Sequence, residues 1–273
     1  MRAVILAAGR GSRLGSLAEN RPKCLVELEG KPLLERQITA LRRGGVDEIA
    51  VVCGYRAEMI DCPGVSLFQN QRWSETNMVT SLVAATAWLQ RAPVIVSYGD
   101  IFYRSELVRG LCHAPGALVI AYDRTWRRLW TRRFEDPLAD AETFRIDETG
   151  ILEEIGGKTT NIEEIMGQYM GLLKFTPTAW SAVETLLAGL DSANCDRLDM
   201  TNLLSRILMG KHFPISTFPT EGQWGEIDSP QDVALYRQMV MEGELVLEGS
   251  PLDLRRGMPD ERLAENNSKA SPR

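Results

Sequence analysis

The sequence predicts an α/β fold, a mostly parallel mixed sheet with helices on both of its faces. Three observations predict it. Residues 3–8, Glu48–Cys53 and residues 93–97 are near-continuous apolar runs of strand length, the pattern of strands buried on both sides. Between the first two runs, Lys31-Pro32 opens a segment with apolar residues at Leu33, Leu34, Ile38 and Leu41 that closes at Gly44-Gly45, a helix with proline in its first turn and glycine at its end. Strand, loop, helix and strand within the first 53 residues make a βαβ unit, which places the two strands parallel in one sheet.

The first strand runs into Leu6-Ala7-Ala8-Gly9-Arg10-Gly11-Ser12-Arg13, and Arg21-Pro22-Lys23 follows shortly after. Gly9 and Gly11 lack a Cβ and can take positive φ, so backbone N–H groups can converge on an anion while Arg13 and Lys23 neutralise its charge. That combination suits a polyphosphate. The string lacks the Gly-Lys-Ser/Thr of a P-loop and the third glycine of a dinucleotide fingerprint. Leu6-Ala-Ala-Gly-x-Gly-x-Arg13 with Pro22-Lys23 instead resembles the signature of nucleotidyltransferases that activate sugars and small phosphorylated alcohols. The resemblance implies a Rossmann-like sheet of the nucleotide-diphospho-sugar transferase type. It further implies that Leu6, Ala8, Gly9 and Gly11 lie against the nucleotide while Arg13 and Lys23 grip its phosphates.

A third strand at residues 65–68 exits into Gln69-Asn70, Trp73 and Thr76-Asn77, and a helix follows with Leu82, Ala85, Trp88 and Leu89 on one face, capped by Thr76 or Asn77. Asn70, Asn77 and Ser81 suit turn and capping chemistry, and they equally suit a ligand, because α/β sheets bind ligands beyond the carboxyl ends of their strands. Resemblance to cytidylyltransferases with a similar Asn-x-x-Ser-Leu segment implies that Gln69, Asn70, Asn77 and Ser81 contact base and ribose. The fourth strand ends in Tyr98-Gly99-Asp100, which sets a carboxylate where it can hold a divalent cation against phosphates. Its alternative use, capping the helix that begins at Ser105, would have to reach too far along the chain.

Residues 116–122 read as a fifth strand, and an insertion of about residues 123–170 then interrupts the alternation. Trp126, Trp130 and Phe134 recur at helical spacing among Arg127, Arg128, Arg132 and Arg133. The aromatic stripe either tucks the insertion onto the sheet or walls an acceptor pocket, with arginines for an anionic head. A hairpin turning at Glu148-Thr149-Gly150 leads to Gly156-Gly157-Lys158, whose lysine can approach a phosphoryl oxygen. Gln168–Phe175 is another strand, and Gln168 and Tyr169 could line the same pocket. Helices from Pro177 and Asp199 cover the sheet, and a short strand at residues 213–218 precedes Trp224-Gly225-Glu226-Ile227-Asp228. Acids at i and i+2 on an extended segment point the same way. Asp228 can also cap the helix that starts at Pro230.

The whole pattern resembles the phosphocholine, phosphonate and phosphoglutamine cytidylyltransferases. That likeness implies a Mg²⁺-dependent transfer of CMP from CTP to the phosphate or phosphonate of a small acceptor, with Asp100 and Asp228 on the metal. It implies an acceptor site of Trp126, Trp130, Arg133, Glu142, Lys158, Gln168, Tyr169 and Glu226, with Arg13, Lys23, Asp100 and Asp228 as the catalytic set. The competing readings are a sugar-1-phosphate nucleotidyltransferase and a non-catalytic nucleotide-binding homologue.

Composition narrows the field. With 44% apolar and 25% charged residues the chain is globular, and a net charge of −6 disfavours a nucleic-acid partner. No run approaches the roughly 18 apolar residues of a membrane span, and with no leader peptide read at the N-terminus a cytoplasmic location is expected. Five scattered cysteines and two histidines indicate neither a disulfide framework nor a zinc site. Residues 1–243 are expected to form one domain and 244–273 an extension, whose Leu245, Val246, Leu247, Leu252 and Leu254 could dock on that domain or on a second subunit as a homodimer, with the last eight residues disordered.

Overall fold

Seven strands form the central sheet in a computed structural model, which describes residues 1–250 and Asp253. They are β1 (Arg2–Ala7), β2 (Glu48–Cys53), β3 (Ser66–Gln69), β4 (Val94–Tyr98), β5 (Leu118–Asp123), β6 (Gln168–Phe175) and β7 (Ile215–Thr220), in the order β7-β5-β6-β4-β1-β2-β3. Every neighbouring pair is parallel except those of β6, which runs antiparallel to both β4 and β5. The sheet is therefore mixed and mostly parallel, as expected. Ala3, Val4, Ile5, Val51, Ile95, Val96 and Ile120 are fully buried, which is why these strands read as unbroken apolar runs. Pro219, which a central strand would not tolerate, lies in the edge strand β7.

Two local devices shape the end of the sheet where β1 and β4 finish. The register of β6 against β5 slips between Tyr169 and Leu173, and Gly171 within the slip has φ +75°. A Cβ there would sit 2.6 Å from the Tyr98 ring, so only glycine lets β6 pass so close to the end of β4. Beyond β4, Ile101–Phe102 pairs antiparallel with Gly225–Glu226. This two-residue ribbon ties the last part of the chain to the fourth strand.

Some expectations need correction. The helix after Asn77 is two pieces, Met78–Val83 and Thr86–Leu89, because the chain tightens to i→i+3 bonds at Ala84 and Ala85. Asn77 caps the first piece, its side-chain oxygen accepting the Met78 N–H. Ser229, not Asp228, caps the Pro230–Met241 helix, in a reciprocal capping box with Asp232. The Asp228 carboxylate is thereby left to face the site.

Residues 245–250 and Asp253 dock back on the rest of the chain. Leu245, Val246 and Leu247 are buried, and the Glu248 carboxylate accepts both the Arg43 guanidinium and the Ser105 backbone N–H. Asp253 pairs with Arg43 at 2.6 Å and Arg104 at 2.5 Å. The docking expected of Leu252 and Leu254 and the disorder expected of the last eight residues fall outside the described residues. Among the described residues no helix is long and apolar enough to cross a membrane, and all five cysteines are free thiols.

Candidate active site

The carboxyl ends of β1 and β4 frame a cleft of about 180 Å³, lined by Leu6, Ala8, Gly9, Lys23, Trp73, Asn77, Ser81, Tyr98 and Asp100 among others. Its floor depends on two close approaches. Gly11, at φ +70°, lets the Lys23 stem come within 2.9 Å of where a Cβ would be, and a Cβ on Gly99 would meet the Leu6 carbonyl at 2.6 Å. Gly9, which was free to take positive φ as well, is not among the glycines that adopt it.

Lys23 is the centre of the charge pattern. Its ammonium donates to Asp100 at 2.6 Å and to the Asp228 carboxylate, and Arg13 reaches the other Asp228 oxygen at 3.1 Å. Burial works against the Lys23 charge, but Asp100, Asp228 and Glu226 together raise its pKa above the ordinary lysine value. Burial would likewise raise the Asp228 carboxyl, yet Lys23, Arg13 and Arg133 hold it below the usual carboxylate range. Glu226 goes the other way, pushed up by burial and by the adjacent Asp100 and Asp228.

The ribbon explains how residues so distant in sequence meet. Ile227 N–H donates to the Asp100 carbonyl at 2.9 Å, and one carboxylate oxygen each of Asp100, Glu226 and Asp228 lies within 4.8 Å of the others. Asp100 Oδ1 is buried without any partner. An orphaned carboxylate oxygen beside two more carboxylates is an oxygen donor set suited to a hard divalent cation, so the residues present fit such an ion.

The residues expected to contact the nucleotide divide in two. Ser81 and Asn77 border the cleft, whereas the Asn70 side chain is committed to the loop: its amide donates to Thr76 at 2.9 Å and Ser81 at 3.0 Å, and its oxygen accepts the Arg72 N–H. Gln69 is exposed at the end of β3. Trp73, Thr76, Met78, Cys24 and Tyr98 also line the cleft and were not expected from sequence to do so. Nearness in the chain to Lys23, Asn77 and Asp100, or for Trp73 its place in the loop after β3, is the signal that could have marked them.

None of the residues expected to bind the acceptor lines this cleft, and Tyr169 meets it only through Tyr98. The Tyr98 ring meets that of Tyr169 edge-on at 5.9 Å, and the Tyr169 hydroxyl is buried with no partner. Gln168 clamps the Glu142 backbone from both sides, donating to its carbonyl at 2.7 Å and accepting its N–H at 3.2 Å. Lys158 Nζ donates to the carbonyls of Asp140 and Ala141. Burial, with Asp199 and Asp140 nearby, raises the Glu142 carboxyl, and Lys158 offsets part of that rise. Trp126 and Trp130 do not border the cleft. Both are buried, with indole N–H groups given to the Ile165 carbonyl and to Asp140. The Arg133 side chain is 2% exposed and pairs with Glu226 and Asp232.

A family model described as the MobA-like NTP transferase domain matches residues 3–193. The chain belongs to that MobA-like NTP transferase family. This transferase is 35% identical over 249 residues, 85% of its own length and 98% of the relative's, to the CTP:phosphoglutamine cytidylyltransferase of Campylobacter jejuni. It is 37% identical over 116 residues, 40% of its length and 51% of the relative's, to the choline-phosphate cytidylyltransferase of Streptococcus pneumoniae. A solved structure of the Streptococcus pneumoniae CTP:phosphocholine cytidylyltransferase shares its fold, with TM-score 0.64 and 23% identity over 88% of this chain and 98% of that one. The transferase is a nucleotidyltransferase, with the acidic cluster at the position where its sequence and fold bring the strand ends together.

Proposed function

We propose that this enzyme transfers CMP from CTP to the phosphate or phosphonate of a small nitrogen-bearing acceptor, with Mg²⁺ as cofactor and pyrophosphate as the second product. The observation that carries the reading is the Lys23 ammonium lying between Asp100 and Asp228 beside the glycine turn. Similarity to relatives named for phosphoglutamine, choline phosphate and 2-aminoethylphosphonate supports the choice of acceptor class.

In the proposed reaction an acceptor oxygen attacks the α-phosphorus of CTP, a new P–O bond forms, and the bond to the β-phosphate oxygen breaks in line. The acceptor oxygen is already anionic, so no side chain has to remove a proton. Asp100 and Asp228 would hold the metal, with Glu226 as ligand or amine partner. Mg²⁺, when bound, supplies charge neutralisation and a template for donor and acceptor oxygens. Arg13, whose side chain is 74% exposed, is free to leave Asp228 for the phosphates, and Lys23 can follow it. Gly9, Gly11, Leu6 and Ala8 frame the nucleotide, with Asn77 and Ser81 toward its base and ribose, Asn70 ordering that loop and Gln69 at its start. Tyr169, Gln168, Glu142 and Lys158 form the acceptor side, where an acidic wall around one lysine suits a molecule that carries an ammonium and an anion together.

Pyrophosphate release measured with four nucleoside triphosphates against phosphoglutamine, phosphocholine, 2-aminoethylphosphonate and glucose 1-phosphate tests this. Turnover is expected with CTP and at least one nitrogen-bearing acceptor, and turnover confined to the sugar phosphate would defeat the proposal.

A further inference from the structure

We infer that Arg133, Asp232 and the tryptophan stripe form a buttress that positions the Glu226–Asp228 carboxylates for the metal, so that Arg133 and Asp232 are positioning residues rather than acceptor ligands. The inference rests on the proposal that Asp100 and Asp228 hold a divalent cation.

The Arg133 guanidinium is almost wholly buried, and among the described residues it contacts two acids, Asp232 through Nε at 2.9 Å and Glu226 at 3.4 Å. It lies 5.4 Å from the centre of the Trp130 ring and 5.1 Å from that of Phe134. Trp130 in turn packs edge-on against Trp126 at 5.9 Å and obliquely against Trp224 at 6.2 Å. The aromatic face of the insertion is thus filled by its own members, by Trp224 and by Arg133, while Arg127 lies over the Trp126 ring at 5.9 Å.

Asp232 turns that anchoring into backbone geometry. Its Oδ1 accepts Arg133, while its Oδ2 accepts the backbone N–H groups of Asp228 at 3.0 Å and Ser229 at 2.9 Å, together with the Ser229 hydroxyl at 3.0 Å. The Tyr236 hydroxyl accepts the Glu226 N–H at 3.2 Å, and Ile227 N–H goes to the Asp100 carbonyl. Three successive N–H groups from Glu226 to Asp228 are therefore each fixed by a different partner. Three acids packed within 4.8 Å repel one another; Lys23 offsets that repulsion from between Asp100 and Asp228, and Arg133 on the far side of Glu226 with a rigid backbone beneath Asp228 fixes where the Glu226 and Asp228 oxygens sit. The insertion, read from sequence as an acceptor wall or as packing, acquires a third role: it carries Arg133 to the metal loop.

The test is Mn²⁺ binding followed by electron paramagnetic resonance on the intact chain, with no nucleotide and no turnover, for wild type, Arg133→Met, Arg133→Lys, Asp232→Asn and the control Arg128→Met. Arg128 sits on the same helix with its side chain exposed. The dissociation constant is expected to rise about 10–100-fold in Arg133→Met and Asp232→Asn, with Arg133→Lys between and Arg128→Met unchanged. The Mg²⁺ concentration for half-maximal pyrophosphate release should shift in the same order. Asp232→Asn, nearly the same shape as the native residue, carries the test if Arg133→Met does not fold. Folded variants that bind Mn²⁺ as wild type does would overturn the inference alone. A wild-type protein that binds no Mn²⁺ would overturn the metal assignment beneath it.

Discussion

Asp228→Asn is expected to lower the rate of pyrophosphate release by on the order of 10³-fold or more, with the protein still folded. Disturbing a residue that merely orients a metal ligand costs roughly 10–100-fold, and replacing the ligand itself should cost more. The structure explains why folding should survive. Asp228 does not cap the Pro230–Met241 helix, a task that belongs to Ser229 and Asp232. Its backbone N–H bond to Asp232 does not involve its own carboxylate. Lys23 keeps Asp100 as a partner, so no buried cation is left unpaired. Steady-state kinetics beside a thermal melt check both halves, and a variant retaining a tenth or more of the wild-type rate would remove Asp228 from the reacting centre.

Lys23→Met is expected to show two effects that a simple phosphate-binding lysine would not combine. The rate should fall about 10²–10³-fold, the loss typical of a transition-state charge donor. In addition, without metal the variant should be destabilised by on the order of 3 kcal/mol, because Asp100, Glu226 and Asp228 lose the cation between them. Millimolar Mg²⁺ should then raise its melting temperature more than that of wild type, since the ion takes the place of the missing charge without competing with Lys23. The sign with pH follows from the raised lysine pKa: the ion pair stabilises the native protein fully at neutral pH and is lost only as pH climbs through that raised value. Melting curves with and without Mg²⁺ decide it. A melting temperature indifferent to the metal would show that the three carboxylates do not depend on a cation among them.

What the sequence revealed follows from what each pattern physically encodes. Strands buried on both faces read as apolar runs, so β1, β2, β4 and β5 were legible, but burial leaves no mark of direction, and the antiparallel course of β6 between β4 and β5 was not. Asp100 and Asp228 could be named because a carboxylate following a strand end, or alternating with another along an extended segment, has few local uses. Asp232 could not be distinguished from an ordinary acid in the first turn of a helix, since its bonds to Asp228 and Arg133 exist only in the folded chain. The stripe of Trp126, Trp130 and Phe134 announced a shared face without saying what would cover it. The answer, Trp224 and Arg133, comes partly from another stretch of the chain.

The most direct measurement is a crystal of the protein grown with CTP and Mn²⁺, with data collected at the manganese absorption edge. The account predicts an anomalous peak within coordinating distance of carboxylate oxygens of both Asp100 and Asp228, with the triphosphate against the Gly9–Gly11 turn. Clear density for CTP with no manganese between those two carboxylates, or with the ion held elsewhere, would contradict it.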